Sequence, residues 1–491
     1  VDAVIRDALA LRWATIGNFG ANHANADEGI AQYFERYGNS YATLMGDLDS
    51  APPRFDPTVL KQIGVAIEQR ECVAGVAAFV DATAWRPTCR TRPRASIMTC
   101  RAPPTAAGRH EVVPMMATLL LAHLVGGGGI VVAGRRLGRA ALWPALVPPV
   151  ATLVWLAAQW STVTAGGAVE ETATWVPELG LALDLRLDGF AALMVLLVAG
   201  VGVLVLVYSR SYFPTSSDGL GRLVGLLVLF AGAMLGLVLA DNLLVLYGFW
   251  GLTSVTSFFL IGNRSSSARA RAAALQALLI TGAGALAMLV GFILIGQAAG
   301  TYRLSTILAD PPRGTTVTVA LVLVVLGAAS KSAQYPFHSW LPGAMVAPTP
   351  VSTYLHSATM VKAGVYLVAR FTPAFGAVGP WRGLVIGLGV ASMVFGGLRA
   401  LRQTDLKLVL AHGTVSQLGF MFVLFGLGTP YAVTAGCVLL LAHAAFKASL
   451  FMSVGVVDRT LSTRDVTELP RIGGAWPVFA GVSVVSAASM A

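Results

Sequence analysis

The sequence predicts an all-α polytopic membrane protein of about twelve transmembrane helices, preceded by a small α-helical soluble segment. Three observations carry this. Of the 491 residues, 56% are hydrophobic and only 12% are charged, where soluble globular chains carry about 25% charged residues. Apolar runs then recur almost without pause from residue 115 to the end. Finally, the charge between those runs is basic: residues 115–491 hold 22 Lys and Arg against 12 Asp and Glu, whereas residues 1–114 hold 12 of each. Basic residues gathered in short loops follow the positive-inside bias, so the formal net charge of +10 points to a membrane and not to nucleic acid.

Residues 1–85 alternate charged and apolar positions at helical spacing, as in DPTVLKQIGVAIEQRE (56–71), where Asp56 followed by Pro57 reads as a helix start. Residues 86–114 are rich in Arg and Pro without a period and read as a disordered linker. Apolar runs follow near 116–133, 141–160, 189–208, 223–240, 243–262, 273–297, 316–335, 350–370, 381–399, 408–427, 433–455 and 475–491. Most approach the roughly 20 residues that cross a hydrocarbon core about 30 Å thick, and in lipid only helices satisfy their own backbone. Threaded in order, the loops at 135–139, 210–222, 263–271, 399–407 and 459–471 fall on one basic side, expected to be cytoplasmic. The loop with Glu170, Glu171, Glu178, Asp184 and Asp188 falls on the other. Residues 1–114 would then lie outside. The start at Val1, the Arg/Pro stretch and the stop at Ala491 inside an apolar run predict a join of two coding segments across 86–115 and a C-terminal truncation. Cys72, Cys89, Cys100 and Cys437 have neither metal-ligand nor disulfide spacing, and no cofactor or metal site is predicted.

Lysine usage is the most specific chemical signal. Of 34 basic residues only five are Lys, and four of these are Lys331, Lys362, Lys407 and Lys447. The first, second and fourth lie inside apolar runs, and Lys407 lies at the mouth of one. Arginine does not release its proton in a protein, whereas lysine can, so writing Arg elsewhere and Lys here keeps protons exchangeable. Snorkelling or structural pairing is the plainer alternative, but ionisable groups at membrane depth mark ion pathways. His443 and Lys447 are four apart and share a helix face. His356 precedes Lys362 and His338 follows Lys331, which marks all three histidines as relay candidates. In KSAQYPFHSWLPGAMVAPTPVS (331–352), Pro336, Pro342, Pro348 and Pro350 break the helix just after a lysine, as transporters do near ion sites.

Residues 331–370, LRQTDLKLVLAHGTVSQLGF (401–420) and LAHAAFKASLF (441–451) resemble the antiporter-like subunits shared by respiratory complex I and multisubunit (Mrp-type) Na+/H+ antiporters. MVKAG, FWGLTSVTSFFLIG (249–262) and HGTVSQLG resemble the large A subunit of the antiporter best. The resemblance implies two inverted five-helix repeats, each with a broken helix carrying a lysine: Lys331 in the first and Lys447 in the second, with His356 and Lys362 as relays between them. It implies other membrane subunits of a hetero-oligomeric antiporter as partners, Na+ and H+ as cargo, a lipid bilayer of the bacterial inner membrane, and a transporter subunit rather than an enzyme. A proton-pumping subunit of a complex I-like oxidoreductase is the alternative, disfavoured by Lys362 and the FWGLTS context. Two positions depart from the family: a glutamate expected beside the first lysine is Gly251, and LPDAMEAP reads LPGAMVAP, with Gly343 and Val346. The Gly251 departure predicts weak or absent coupled transport.

Residues 1–85 resemble the C-terminal domain of 3-hydroxyacyl-CoA dehydrogenases of the lambda-crystallin type. Gly20 and Asn18 replace the glutamate and proline of that family's GPFE motif, and residues 1–114 lack the Gly-rich dinucleotide loop. A dehydrogenase fused to a membrane domain is therefore nearly excluded.

Overall fold

The computed structural model describes residues 114–176, 181–214, 219–470 and 476–489. The soluble segment (1–85) and most of the linker (86–114) predicted from the sequence lie outside the described residues.

The first two helices, α1 (Met115–Leu137) and α2 (Leu142–Thr164), are joined by a tight turn at Gly138–Ala141. There follow α3 (Gly189–Tyr212), α4 (Leu220–Leu239), α5 (Leu243–Ile261) and α6 (Ala268–Ala299). A short α7 (Leu304–Ala309) leads to α8 (Thr315–Lys331), the single turn α9 (Trp340–Gly343), α10 (Thr349–Ser357) and α11 (Lys362–Phe375). The chain continues through α12 (Trp381–Ala400), α13 (Leu406–Leu427), α14 (Pro430–Leu461) and α15 (Pro477–Ala488). Among the described residues, nine helical stretches are long and apolar enough to cross a membrane.

The other three predicted runs have physical reasons for falling short. The run at 316–335 stops at Lys331 because Pro336 and Pro342 follow. The run at 350–370 is divided, α10 ending at Ser357 and α11 starting at Lys362. The last run gives a helix of 12 residues.

One element corrects the all-helical expectation. Strands β1 (Val169–Val176) and β2 (Leu181–Leu187) form an antiparallel hairpin where an acidic loop was expected. LALDLRL alternates apolar and polar residues, the period of a half-buried strand, and Leu185 and Leu187 are buried. Glu170 stands opposite Arg186 and is ion-paired to it. Glu171 turns inward to accept from the first amides of α1, Met116 N at 2.8 Å and Ala117 N at 3.1 Å, satisfying donors that a helix start leaves open.

Polar contacts sort the two sides as threaded. On the hairpin side, Arg303 bridges Glu170 (2.7 Å) and Asp241 (3.1 Å), and Arg370 meets Asp188. On the basic side, Arg139 donates to the Arg210 carbonyl, Arg222 to Asn263, and Arg464 pairs with Asp405 at 3.0 Å. Between these layers, α1 and α4 pack with backbones in contact. A Cβ at Gly221 would lie 2.3 Å from the Gly134 carbonyl oxygen, and one at Gly225 would lie 2.7 Å from Val131 N.

Candidate ion pathway

Lys331 is the last residue of α8, completely buried. Its ammonium donates to Ser254 Oγ at 2.6 Å and to the Trp250 carbonyl at 3.0 Å, both on α5, and lies 5.3 Å from the centre of the Trp250 ring. From α6, Thr281 contributes its hydroxyl, 3.5 Å from Ser254 Oγ. Where α8 stops, Trp340 Nε1 donates to the freed Ser330 carbonyl at 3.0 Å. Gly251 sits between these two partners in sequence, and a Cβ built there would meet no atom within 4 Å. A side chain at 251 would share its helix face with Ser254, three residues on, so there is room for an acid beside Lys331. At Gly343 a Cβ would come within 3.3 Å of Gln276 Oε1.

The two helix interruptions are bonded to each other. Ser332, just past α8, donates to the Val361 carbonyl at 2.6 Å and accepts from Val365 N at 3.1 Å. Gly364 allows this approach, since a Cβ there would lie 2.1 Å from the Ala328 carbonyl oxygen. Neither Ser332 nor Gly364 stood out in the sequence. The proline cluster marked one break, but nothing local marked the contact between the breaks.

Lys362 opens α11 and is completely buried, donating to the Leu440 carbonyl of α14 at 2.7 Å. Lys447, also on α14, donates to the Leu410 carbonyl of α13 at 3.2 Å, beside Gly413. His443 lies between these amines within electrostatic reach of both, its ring against Phe446. Lys407 is not at an exposed mouth: it is 2% exposed, and its amine donates to the Ala347 carbonyl at 2.9 Å. The tight turns after α9 bring that carbonyl over it. His356 closes α10 within electrostatic reach of Lys407, between Trp340 and Phe451. The structure thus gathers Lys407 with His356, and Lys362 with His443 and Lys447. Lys331 joins them through Ser332.

Two expectations need correction. His338 is half-buried and stacks on Tyr335 and Phe395, near His412 and Arg399 on the basic side, because the turn after Pro336 carries it away from Lys331. Lys447 does not sit on a broken helix. Pro430 is at the first turn of α14, where proline is tolerated, and no other proline interrupts the helix, which runs unbroken over 32 residues.

All four amines donate to main-chain carbonyls, and among the described residues none forms an ion pair. Neither ring nitrogen of His356 or His443 has a hydrogen-bonding protein partner; His443 approaches the Ser357 backbone short of a well-formed bond. Such an assembly can accept and pass protons, because each amine is held by dipoles and not committed to a counter-ion.

Comparison with known proteins agrees with this geometry. The model of the NADH:quinone oxidoreductase/Mrp antiporter transmembrane family matches residues 240–491, and that of the complex I chain 5 N-terminus matches residues 175–222. The chain belongs to the NADH:quinone oxidoreductase/Mrp antiporter family. Within it, the A/B subunit of a probable K(+)/H(+) antiporter of Rhizobium meliloti (strain 1021) is 47% identical over 336 residues, covering 67% of this chain and 33% of that protein. The large A-type subunit of the Na(+)/H(+) antiporter of Alkalihalophilus pseudofirmus is 43% identical over 366 residues, covering 71% and 46%. Among solved structures of the family, the Mrp complex from Dietzia sp. DQ12-45-1b superposes with a TM-score of 0.69 at 38% identity, covering 77% of this chain and 43% of the matched one. Respiratory complex I from Thermus thermophilus superposes with a TM-score of 0.66 at 25% identity, covering 77% and 78%. The chain spans a third to half of the length of these curated relatives.

Proposed function

We propose that this chain is the ion-translocating part of the large subunit of a multisubunit cation/proton antiporter in a bacterial plasma membrane. It moves protons through a buried series formed by Lys407, His356, Lys331, Lys362, His443 and Lys447, with Na+ or K+ as the exchanged cation and further membrane subunits as partners. Twelve crossings fit the chain: the nine long spans, α8 with its proline-rich continuation, the divided α10–α11 pair, and the span begun by α15. Residues 1–85 and 86–114 are a separate helical segment and a linker.

The observation that carries this reading is the set of four buried lysines held by neutral carbonyls in a chain that otherwise uses arginine. A protonated amine so placed is poorly compensated and passes its proton on readily. The two imidazoles without protein partners supply positions where water can bridge the steps. Higher identity to antiporter subunits than to complex I favours antiport over quinone-linked pumping. Co-purification with small antiporter subunits, rather than peripheral quinone-linked ones, separates the two.

The test is cation-dependent proton flux in vesicles holding the chain with its partner subunits. Lys331 has no acid beside it, so flux is expected to be slow as the sequence stands and to rise about tenfold or more in Gly251→Glu, where a carboxylate stabilises the charged amine. Adding Lys447→Arg to that variant is expected to abolish the gain while leaving assembly intact. An assembled Gly251→Glu complex without cation-dependent flux overturns the reading, as does full flux through Lys447→Arg.

A further inference from the structure

α11 has a mechanical problem. It carries Lys362 at its first position, yet residues 358–361 separate it from α10, so helix continuity does not fix its position along the membrane normal. Its own contacts must do so. At the inner end these are Ser332 Oγ on Val365 N and the Lys362 amine on the Leu440 carbonyl.

At the outer end the contacts are stronger and reach three other elements. Arg370, two turns beyond Lys362, forks the carboxylate of Asp188 at 2.5 and 2.7 Å. Its Nε donates to Tyr366 Oη at 3.0 Å, and that hydroxyl donates to the Val238 carbonyl at the end of α4 at 2.8 Å. The guanidinium lies 5.2 Å from the Tyr366 ring centre and 5.5 Å from that of Phe190, and those two rings stack with centres 5.4 Å apart. Asp188 in turn accepts from Ala191 N at 2.9 Å as the cap of α3, and Arg186 of β2 approaches it at 3.9 Å. A planar fork fixes both distance and orientation, which a lysine would not.

We propose that the Asp188–Arg370–Tyr366 cluster is an outer latch that positions Lys362. It ties α11 to the cap of α3, the end of α4 and the hairpin, so that the placement of the outer layer sets the depth of the buried amine. Asp188, Arg370 and Tyr366 are positioning residues: they act through Lys362 and touch no cargo. The hairpin's Glu170–Arg186 pair and the Glu170–Arg303–Asp241 bridge continue the same network across the outer face, so a rearrangement there is felt at Lys362. This proposal rests on the transport reading for its consequence, but not for its geometry.

Two readouts on the assembled complex keep the two apart. Asp188→Asn retains the α3 cap, since Asn caps as well as Asp, and removes the charge. The first readout needs no transport: amide hydrogen exchange across 362–375 is expected to speed up about tenfold in Asp188→Asn and in Arg370→Gln, and less in Arg370→Lys. The second is the pH midpoint of flux in the Gly251→Glu complex. The groups facing Asp188 are Arg370, Arg186 and Tyr366, and His443 faces Lys362. Moving Lys362 among them is expected to shift the midpoint by about one pH unit, a tenfold change in proton affinity, with Arg370→Lys recovering part of the shift. Unchanged exchange in Asp188→Asn overturns the latch. So does slower flux at an unmoved midpoint, which is what a merely structural role would give. Absence of cation-dependent flux in the unlatched and latched complexes alike, with faster exchange in Asp188→Asn, supports the latch and overturns the transport reading instead.

Discussion

At the scale of single residues, the chemistry lies in how the lysines are held. An ammonium deep in a membrane is costly unless something shares its charge, and here main-chain oxygens and one serine hydroxyl do so. Lys331 has the fullest set, with Ser254 Oγ at 2.6 Å and the Trp250 carbonyl at 3.0 Å. Ser254→Ala removes the shorter of these bonds and leaves the Trp250 carbonyl. Flux in the Gly251→Glu background is expected to fall severalfold, with assembly unchanged, and vesicle assays at fixed protein content measure it. Lys407→Arg is expected to stop flux for a different reason, since the guanidinium keeps its proton whatever surrounds it. Normal turnover in that variant would remove Lys407 from the pathway.

At the scale of elements, two features decide stability. The α1–α4 seam brings backbones together at Gly134, Gly221 and Gly225. Gly221→Val would press a side chain onto the Gly134 carbonyl, where nothing flexible can yield. Overpacking of about 1–3 kcal/mol is expected, seen as a lower melting temperature of the purified complex and less protein in the membrane. Glu171→Ala would leave two amides of α1 without their acceptor, costing about 1 kcal/mol for each lost bond.

Elements also show what the sequence can and cannot reveal. The nine long spans and the break after Lys331 follow from local signals, namely apolar length and proline position, and so were legible. The hairpin was legible in principle, from the alternation in LALDLRL, but five acids made the region read as a loop. The break before α11 left no clear mark. Residues 358–361 read Ala, Thr, Met and Val, none a helix breaker, and the interruption is held by distant partners: Thr359 Oγ1 on the Tyr354 carbonyl and Ser332 on the Val361 carbonyl. Likewise the i+4 spacing of His443 and Lys447 was readable, whereas the pairing of Lys407 with Ala347 depends on tertiary packing alone.

At the scale of the whole molecule, the two polar layers fix an orientation. The hairpin, Asp241, Arg303 and the Asp188–Arg370 pair share one side; Arg139, Arg222, Arg464 and Asp405 share the other. With the basic side cytoplasmic, a cysteine at Ala173 is expected to react with an impermeant thiol reagent added outside intact cells, and one at Ser266 only after the membrane is opened. The reverse pattern would invert the topology and the direction of the pathway with it. This labelling also bears on residues 1–114, which precede α1 on the hairpin side.

The carbonyl ligands of the four amines have a consequence for genetics. Every residue type supplies a carbonyl, so substituting Trp250, Ala347, Leu410 or Leu440 changes a side chain and leaves the ligand in place. A saturation screen for transport loss is therefore expected to recover the lysines and to pass over the positions that hold them. Half of the pathway would be silent to mutation, and visible only to methods that alter the backbone itself, such as replacing the amide at these positions with an ester to weaken its carbonyl.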